Sequence, residues 1–146
     1  MTRTKKMAAM LMAVILLCSL SVSAFALGDG QNIGVFPEPV TRDTSRPTQL
    51  WDISSRYDFA GTSAHQNMYT NYYFKGRTKY RVHVENNSDY ILRVRVKKFT
   101  WTFSDNNIPA HSTDSTYTVG GMDSDDEIYI LFSGEHQNFS GYIEAA

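Results

Sequence analysis

The sequence has 146 residues, of which 42% are hydrophobic, 20% charged and 13% aromatic. This size suits one globular domain and excludes a multidomain enzyme. The 14 basic and 15 acidic residues give a formal net charge of −1, and this balance argues against nucleic acid as a partner.

The N-terminus has the features of a secretory signal peptide. Three basic residues precede an apolar stretch over residues 7–20, and Ala-Phe-Ala at 24–26 supplies a cleavage site. The apolar stretch is shorter than the ~20 residues that a bilayer span needs. We expect residues 1–26 to be removed, with a retained N-terminal anchor as the alternative. The mature protein is then secreted, extracellular or attached to the cell surface, with no transmembrane segment.

Cys18 is the only cysteine, and it lies inside the predicted signal peptide. The mature chain therefore has no thiol, which excludes disulfides, cysteine nucleophiles and thiolate metal sites. Removing the three basic residues of the signal leaves 11 basic and 15 acidic residues, a net charge of −4. The basic residues concentrate in residues 75–98, whereas residues 99–146 contain no Lys or Arg.

Residues 27–49 hold three of the four prolines and few apolar side chains. This composition predicts an extended or disordered leader. A short apolar group at residues 33–36 can instead dock on the folded domain, which we place at residues 50–146.

Two segments in the middle of the chain alternate strictly between apolar and polar residues. Valine, leucine and tyrosine occupy positions 80, 82, 84, 92, 94 and 96, and basic or polar residues lie between them. A period of two predicts β-strands with one buried face. Between the strands, Asn-Asn-Ser-Asp at 86–89 favours a turn, so we predict an antiparallel hairpin.

The alternation changes phase at the end of the second segment. If every second residue continued to face the core, the next such residue would be Lys98. The next apolar residues are instead Phe99, Trp101 and Phe103. A β-bulge at Lys97 and Lys98 would return these aromatic residues to the core. The alternative is that one strand ends there and another begins.

Turn-forming segments separate the remaining apolar runs, and no helical period occurs outside the signal. About seven short strands in one domain predict an all-β fold, an antiparallel β-sandwich, with a jelly-roll or small barrel as the alternative. The further predicted strands cover residues 56–61, 68–74, 115–119, 127–133 and 139–144.

Catalytic motifs are missing from the sequence, which has no nucleophile elbow, P-loop, zinc-protease helix or dinucleotide-binding glycine pattern. Ser63 and His65 are too close along an extended chain to form a nucleophile and base. The four histidines lie far apart in sequence, so we interpret them as surface residues and not as zinc ligands. We predict that the protein is not an enzyme.

The predicted hairpin would present a basic face. Its candidate residues for binding a polyanion are Lys79, Arg81, Arg93, Arg95 and Lys97. Like charges on neighbouring strands repel one another. Either an anionic wall polymer or other external polyanion compensates them, or the acidic C-terminal strands do so within the sheet, and we favour the internal explanation.

Three tyrosines, Tyr69, Tyr72 and Tyr73, lie on both faces of a predicted strand, so at least one is exposed. These rings are candidates for stacking on sugars, and the alternative is that they pack in the sheet with their hydroxyls at its rim.

A run of carboxylates at Asp123, Asp125, Asp126 and Glu127 follows two glycines. Alternating carboxylates can bind calcium, and a solvated polar turn is the alternative. We predict no other cofactor.

The run YTNYYFKGRTKYRVHVENNS at residues 69–88 and the C-terminal FSGYIE resemble small exported β-sandwich proteins of Gram-positive bacteria. The order of strands also resembles accessory domains of the pre-peptidase C-terminal type, and the first run alone is faintly similar to lactococcin-like bacteriocins. These resemblances supply no site residue.

The sequence therefore predicts a secreted, non-catalytic binding or accessory module at the bacterial surface, with a cell-wall glycan or anionic polymer as its partner. The alternatives are a bacteriocin-like antagonist that acts on another cell's envelope and an accessory module separated from its enzyme. The ligand and the oligomeric state stay open at this point.

Overall fold

The computed structural model describes the backbone of Val35–Pro37 and all of residues 47–146. The predicted signal peptide and most of the predicted leader lie outside the described residues. The described part consists of strands, turns and irregular segments, and contains no helix that could cross a membrane. The strands are β1 (Val35–Pro37), β2 (Gln49–Trp51), β3 (Tyr57–Ser63), β4 (Met68–Thr70), β5 (Tyr72–Phe74), β6 (Lys79–Asn86), β7 (Leu92–Lys98), β8 (Trp101–Ile108), β9 (Ser112–Gly120), β10 (Tyr129–Ser133) and β11 (Gln137–Ala145).

Two open antiparallel sheets pack face to face. One has the order β1-β4-β10-β7-β8 and the other β3-β11-β6-β9, and β2 and β5 form a short parallel pair beside them. A bridge between Phe74 and Ile128 connects this pair to the chain just before β10. The predicted antiparallel β-sandwich is confirmed, and neither described sheet closes into a barrel.

The core lies between the sheets and follows the alternation in the sequence. Tyr80, Val82 and Val84 of β6 and the corresponding residues of β7 are 0–1% exposed. Rings from both sheets meet at the centre, with the centroids of Phe59 and Phe132 5.0 Å apart. Burying such side chains contributes about 1.5–3 kcal/mol each, so these strands provide much of the stability.

The structure has more strands than the sequence predicts. The predicted strand at residues 68–74 divides at Asn71 into β4 and β5, which belong to different sheets. Residues 104–107, which are outside the strands predicted from the sequence, lie inside β8. Within the predicted leader, Val35–Pro37 pairs with β4. The apolar group of the leader therefore docks on the folded domain, as the alternative interpretation of the sequence expects.

The predicted hairpin between β6 and β7 is wrong. β6 pairs with β11 and β9 in one sheet, whereas β7 pairs with β10 and β8 in the other. The intervening residues 87–91 cross from sheet to sheet. The alternation is the same in a hairpin and in such a crossing, because each strand buries one face either way.

Asn86 explains how the chain makes this crossing. Its side chain is fully buried, and its Nδ2 donates hydrogen bonds to the backbone carbonyls of Tyr90 at 2.8 Å, Ile108 at 3.1 Å and Pro109 at 3.0 Å. Its Oδ1 accepts from the backbone N and the hydroxyl of Ser88. Since β8 also crosses to β9 at this end, one amide stabilises both crossings.

The phase change after β7 marks a strand end and not a bulge that continues the strand. β7 ends at Lys98, a two-residue turn follows, and β8 begins at Trp101. The register irregularity places one extra residue, Phe103, in β8. Phe103 packs partly against the core, but Phe99 and Trp101 are 57% and 67% exposed. Their predicted return to the core is wrong.

Replacing Asn86 by Asp should destabilise the fold strongly. Aspartate keeps the shape but cannot donate to the three carbonyls when ionised, and a buried acceptor left without its donor costs about 1–3 kcal/mol. We expect the free energy of unfolding, measured in urea, to fall by about 3 kcal/mol or more. Asn87→Asp, the same change at the exposed neighbour, serves as the control. Equal losses in the two variants would show that the Asn86 side chain does not hold the crossing.

Candidate functional site

The predicted basic residues are divided between the two outer faces of the sandwich. Lys79 and Arg81 lie on β6 in the four-stranded sheet. Arg93, Arg95 and Lys97 lie on β7 in the five-stranded sheet. Because their strands do not pair, the predicted continuous basic face is wrong.

Carboxylates within the sheets compensate two of these charges. Arg81 Nη1 lies 2.9 Å from Oε1 of Glu144 on β11. Arg93 binds both carboxylate oxygens of Asp105 on β8, and this hydrogen bonding holds the pKa of Asp105 below its usual range. This geometry matches internal compensation, one of the two explanations that the sequence leaves open.

The three predicted tyrosines do not form one surface. Tyr69 is 4% exposed and packs in a small cluster with Tyr129 and Leu131. Tyr72 is partly buried, with its ring centroid 5.4 Å from that of Trp51. Tyr73 lines a surface groove. Because Tyr69 is buried in its own cluster, a sugar platform built from all three is wrong.

The predicted acidic residues converge only in part. Ligand oxygens of Asp123, Asp125 and Asp126 lie within 4.8 Å of one another, whereas Glu127 lies outside this group, 4.0 Å from the Lys75 ammonium. Calcium at this turn stays a prediction.

Asp126 already has a cation beside it. Its side chain is almost buried, Oδ1 contacts the Lys98 ammonium, and Oδ2 accepts a 2.9 Å hydrogen bond from the backbone N of Asp123. The hydrogen bond from Lys98 is the main cause that holds the pKa of Asp126 below its usual range. This ion pair joins the acidic turn to the end of β7.

Two exposed rings project above this ion pair, and we call Phe99 and Trp101 the aromatic ridge. The Tyr129 hydroxyl donates a 3.2 Å hydrogen bond to the carbonyl of Phe99, which has a φ of +50°. A positive φ is unfavourable for a bulky residue and persists only where surrounding contacts enforce it. The backbone that carries Phe99 is therefore held by Tyr129, and the preceding residue is held by the pair of Lys98 with Asp126.

A groove lies on each side of Phe99. The first, of about 410 Å³, includes Tyr73, Phe99, Asp125 and Glu127 among its walls. The second, of about 400 Å³, includes Trp101, Phe103 and Asp123. Each groove thus combines aromatic faces with carboxylate oxygens, which can accept hydrogen bonds from hydroxyl groups. Lys98 also lines both grooves, so two carboxylates and one ammonium leave each groove with a net negative charge.

Sequence reasoning missed this site because it assigned the ridge to the core. The odd-numbered residues of β7 point outward, and Phe99 and Trp101 continue that parity. Continuing the simple alternation without a bulge would have predicted their exposure. The sequence also gave no reason to join the ridge to the acidic turn, since that contact depends on the pairing of β7 with β10.

Comparison with known proteins adds two solved structures. One, described as "CBM4 structure and function", has a TM-score of 0.36 and 15% identity, covering 64% of this chain and 82% of that chain. The other, the N-terminal cellulose-binding domain of β-1,4-glucanase C from Cellulomonas fimi, has a TM-score of 0.39 and 16% identity, covering 80% and 90%. No family model and no curated protein matches the sequence. Likeness at this level leaves function to be derived from the site.

The Lys98–Asp126 pair predicts a specific dependence of stability on pH. Because the pKa of Asp126 is lowered from 3.8 in the folded state, its contribution is present above that value and is lost as pH falls through the folded pKa. Asp126→Asn should lower the melting temperature at neutral pH and reduce its further fall between about pH 5 and pH 2. Scanning calorimetry across this range measures both effects. Asp125→Asn at the exposed neighbour is the control, and an unchanged acid response in Asp126→Asn would contradict the assignment.

Proposed function

We propose that this chain is a secreted, non-catalytic module that binds a neutral glycan at the bacterial surface through the aromatic ridge and its two grooves. The observation that carries the proposal is the exposure of Phe99 and Trp101, 57% and 67%, on a fixed end of the sandwich. The predicted signal peptide supports export. Sugar rings have apolar C–H faces that cover aromatic rings, and hydroxyls that bind polar groups beside them.

The position of the ridge favours binding over chance exposure. Leaving large aromatic side chains in water forgoes the roughly 25 cal/mol per Å² that burial contributes. The hydrogen bond from Tyr129 and the contact of Lys98 with Asp126 hold the backbone beneath the ridge before any ligand arrives. A site ordered in advance loses less conformational entropy on binding.

The charge of the grooves supports one of the two ligand classes predicted from the sequence. Lys98 is paired with Asp126 and Lys75 lies 4.0 Å from Glu127, which leaves Asp123 and Asp125 beside the ridge as the carboxylates that repel an anionic wall polymer. The basic residues that could bind such a polymer lie on opposite faces, and Arg81 and Arg93 are already paired with carboxylates. A neutral glycan fits this arrangement better.

The lowered pKa of the Asp126 carboxyl favours binding over glycoside hydrolysis. A glycosidase needs a carboxylic acid with a raised pKa as its proton donor. Asp126 has the opposite shift, because Lys98 stabilises its charged form. The most buried carboxylate of the site therefore acts as a structural anion and not as a general acid.

Replacing Trp101 should separate this site from the rest of the surface. We expect Trp101→Ala to weaken retention on insoluble neutral polysaccharide by at least about tenfold, or about 1.4 kcal/mol, with an unchanged melting temperature. Pull-down with the insoluble polysaccharide measures the effect. The control is Ile91→Ala, since Ile91 is 62% exposed at the opposite end of the sandwich. Equal binding by Trp101→Ala and the unmodified protein would refute the site.

Salt distinguishes the glycan from a polyanion. Stacking on Trp101 is expected to survive ~1 M salt, whereas binding to an anionic polymer is screened at that ionic strength. Retention that disappears in salt and on Arg95→Ala would support the polyanion instead. Killing of indicator cells by the protein would favour the antagonist.

A further inference from the structure

A second surface lies at the end of the sandwich opposite the aromatic ridge, where two loops meet. The backbone N of His136, just before β11, donates a 2.7 Å hydrogen bond to the carbonyl of Ala64, just after β3. The buried side chain of Gln137 donates a 2.6 Å hydrogen bond to the carbonyl of Gln66. These bonds hold the two loops in a fixed relation.

The same two loops bring together two histidines that are far apart in sequence. The ring centroids of His65 and His136 are 5.1 Å apart, with 63° between the ring planes. Two imidazoles that bind one tetrahedral Zn²⁺ ion do so through Zn–N bonds of about 2.0–2.1 Å, and the centres of their rings are then about 5 Å apart. The observed distance between the ring centroids therefore allows both imidazoles to bind one metal ion.

The ring nitrogens of this pair differ from those of the other two histidines. His83 contacts the Thr116 hydroxyl at 2.9 Å, and His111 contacts Asp89 at 2.9 Å. In the described part of the chain, the ring nitrogens of His65 and His136 have no hydrogen bond or ion pair, and both residues are exposed. Their lone pairs are accessible to a metal ion when the imidazoles are neutral.

The position of His136 is constrained from a third side. Its φ is +44°, and the ring of Tyr90 lies 5.3 Å from its own, centroid to centroid. The chain thus keeps a bulky residue in the left-handed region, a conformation that its surroundings must enforce. Tyr90 belongs to the crossing that Asn86 holds, so the core of the fold supports the placement of this ring.

We propose that His65 and His136 form a site for a divalent transition-metal ion of the Zn²⁺, Ni²⁺ or Cu²⁺ class. Imidazole nitrogens suit these ions, whereas calcium requires oxygen ligands. Two protein ligands leave further coordination positions for water or for a donor group of another molecule. The site is independent of the proposed glycan grooves, which lie at the other end of the sandwich.

Calorimetric titration of the untagged protein with ZnCl₂ or NiCl₂ tests the site. We expect one ion per chain, and His65→Gln or His136→Asn should weaken its binding by at least about tenfold, or about 1.4 kcal/mol. His111→Asn is the matched control, because His111 also has a positive φ, +56°. Melting temperatures verify that each variant is folded, and His65→Gln provides the test if His136→Asn is not.

The histidine ring signals in ¹H–¹⁵N NMR spectra supply a second, residue-specific readout. We expect Zn²⁺ to shift the ring nitrogens of His65 and His136 and to leave those of His83 and His111 unchanged. The proposal is overturned if no heat and no shift appear at about 1 mM metal, a concentration well above the micromolar affinity range. It is equally overturned if both substitutions leave the affinity unchanged, or if binding is lost on Asp123→Asn instead.

Discussion

The buried amide of Asn86 is the interaction on which the rest of the arrangement depends. By donating to carbonyls of both crossings, it directs the chain out of the four-stranded sheet and into the five-stranded one. A hairpin at this point would have placed all the basic residues on one face. The crossing instead puts Arg81 and Arg93 on opposite faces, each beside a carboxylate of its own sheet.

The two ends of the sandwich acquire different chemistry from this topology. At one end, β7 is followed by Phe99 and Trp101, which lie next to the contact between Lys98 and Asp126. At the other end the crossing itself, through Tyr90, packs against His136. On the outer faces between the two ends, Arg56, Arg81 and Arg93 are each paired with a carboxylate. The exposed aromatic rings and the imidazoles of His65 and His136 are the groups that we assign to binding.

The sequence predicts the faces of the strands far better than their partners. Alternation places Val82 and Val94 in the core correctly, because that pattern depends only on which side of a strand is buried. It says nothing about whether consecutive strands share a sheet, and the crossing at Asn86 was missed for this reason. The site was missed likewise, since a bulge was used to bury Trp101. The approach of His65 to His136 arises from strand pairing across the whole chain, which spacing in the sequence does not reveal.

The most direct test of the account is a ¹H–¹⁵N NMR titration of the protein with a neutral oligosaccharide derived from the polysaccharide that retains it best. The account predicts that the indole signal of Trp101 and the backbone amides around Phe99 and Asp125 shift together, while signals at the crossing end do not move. Shifts centred on the outer face of the four-stranded sheet, or a Trp101 signal that never responds, would contradict it.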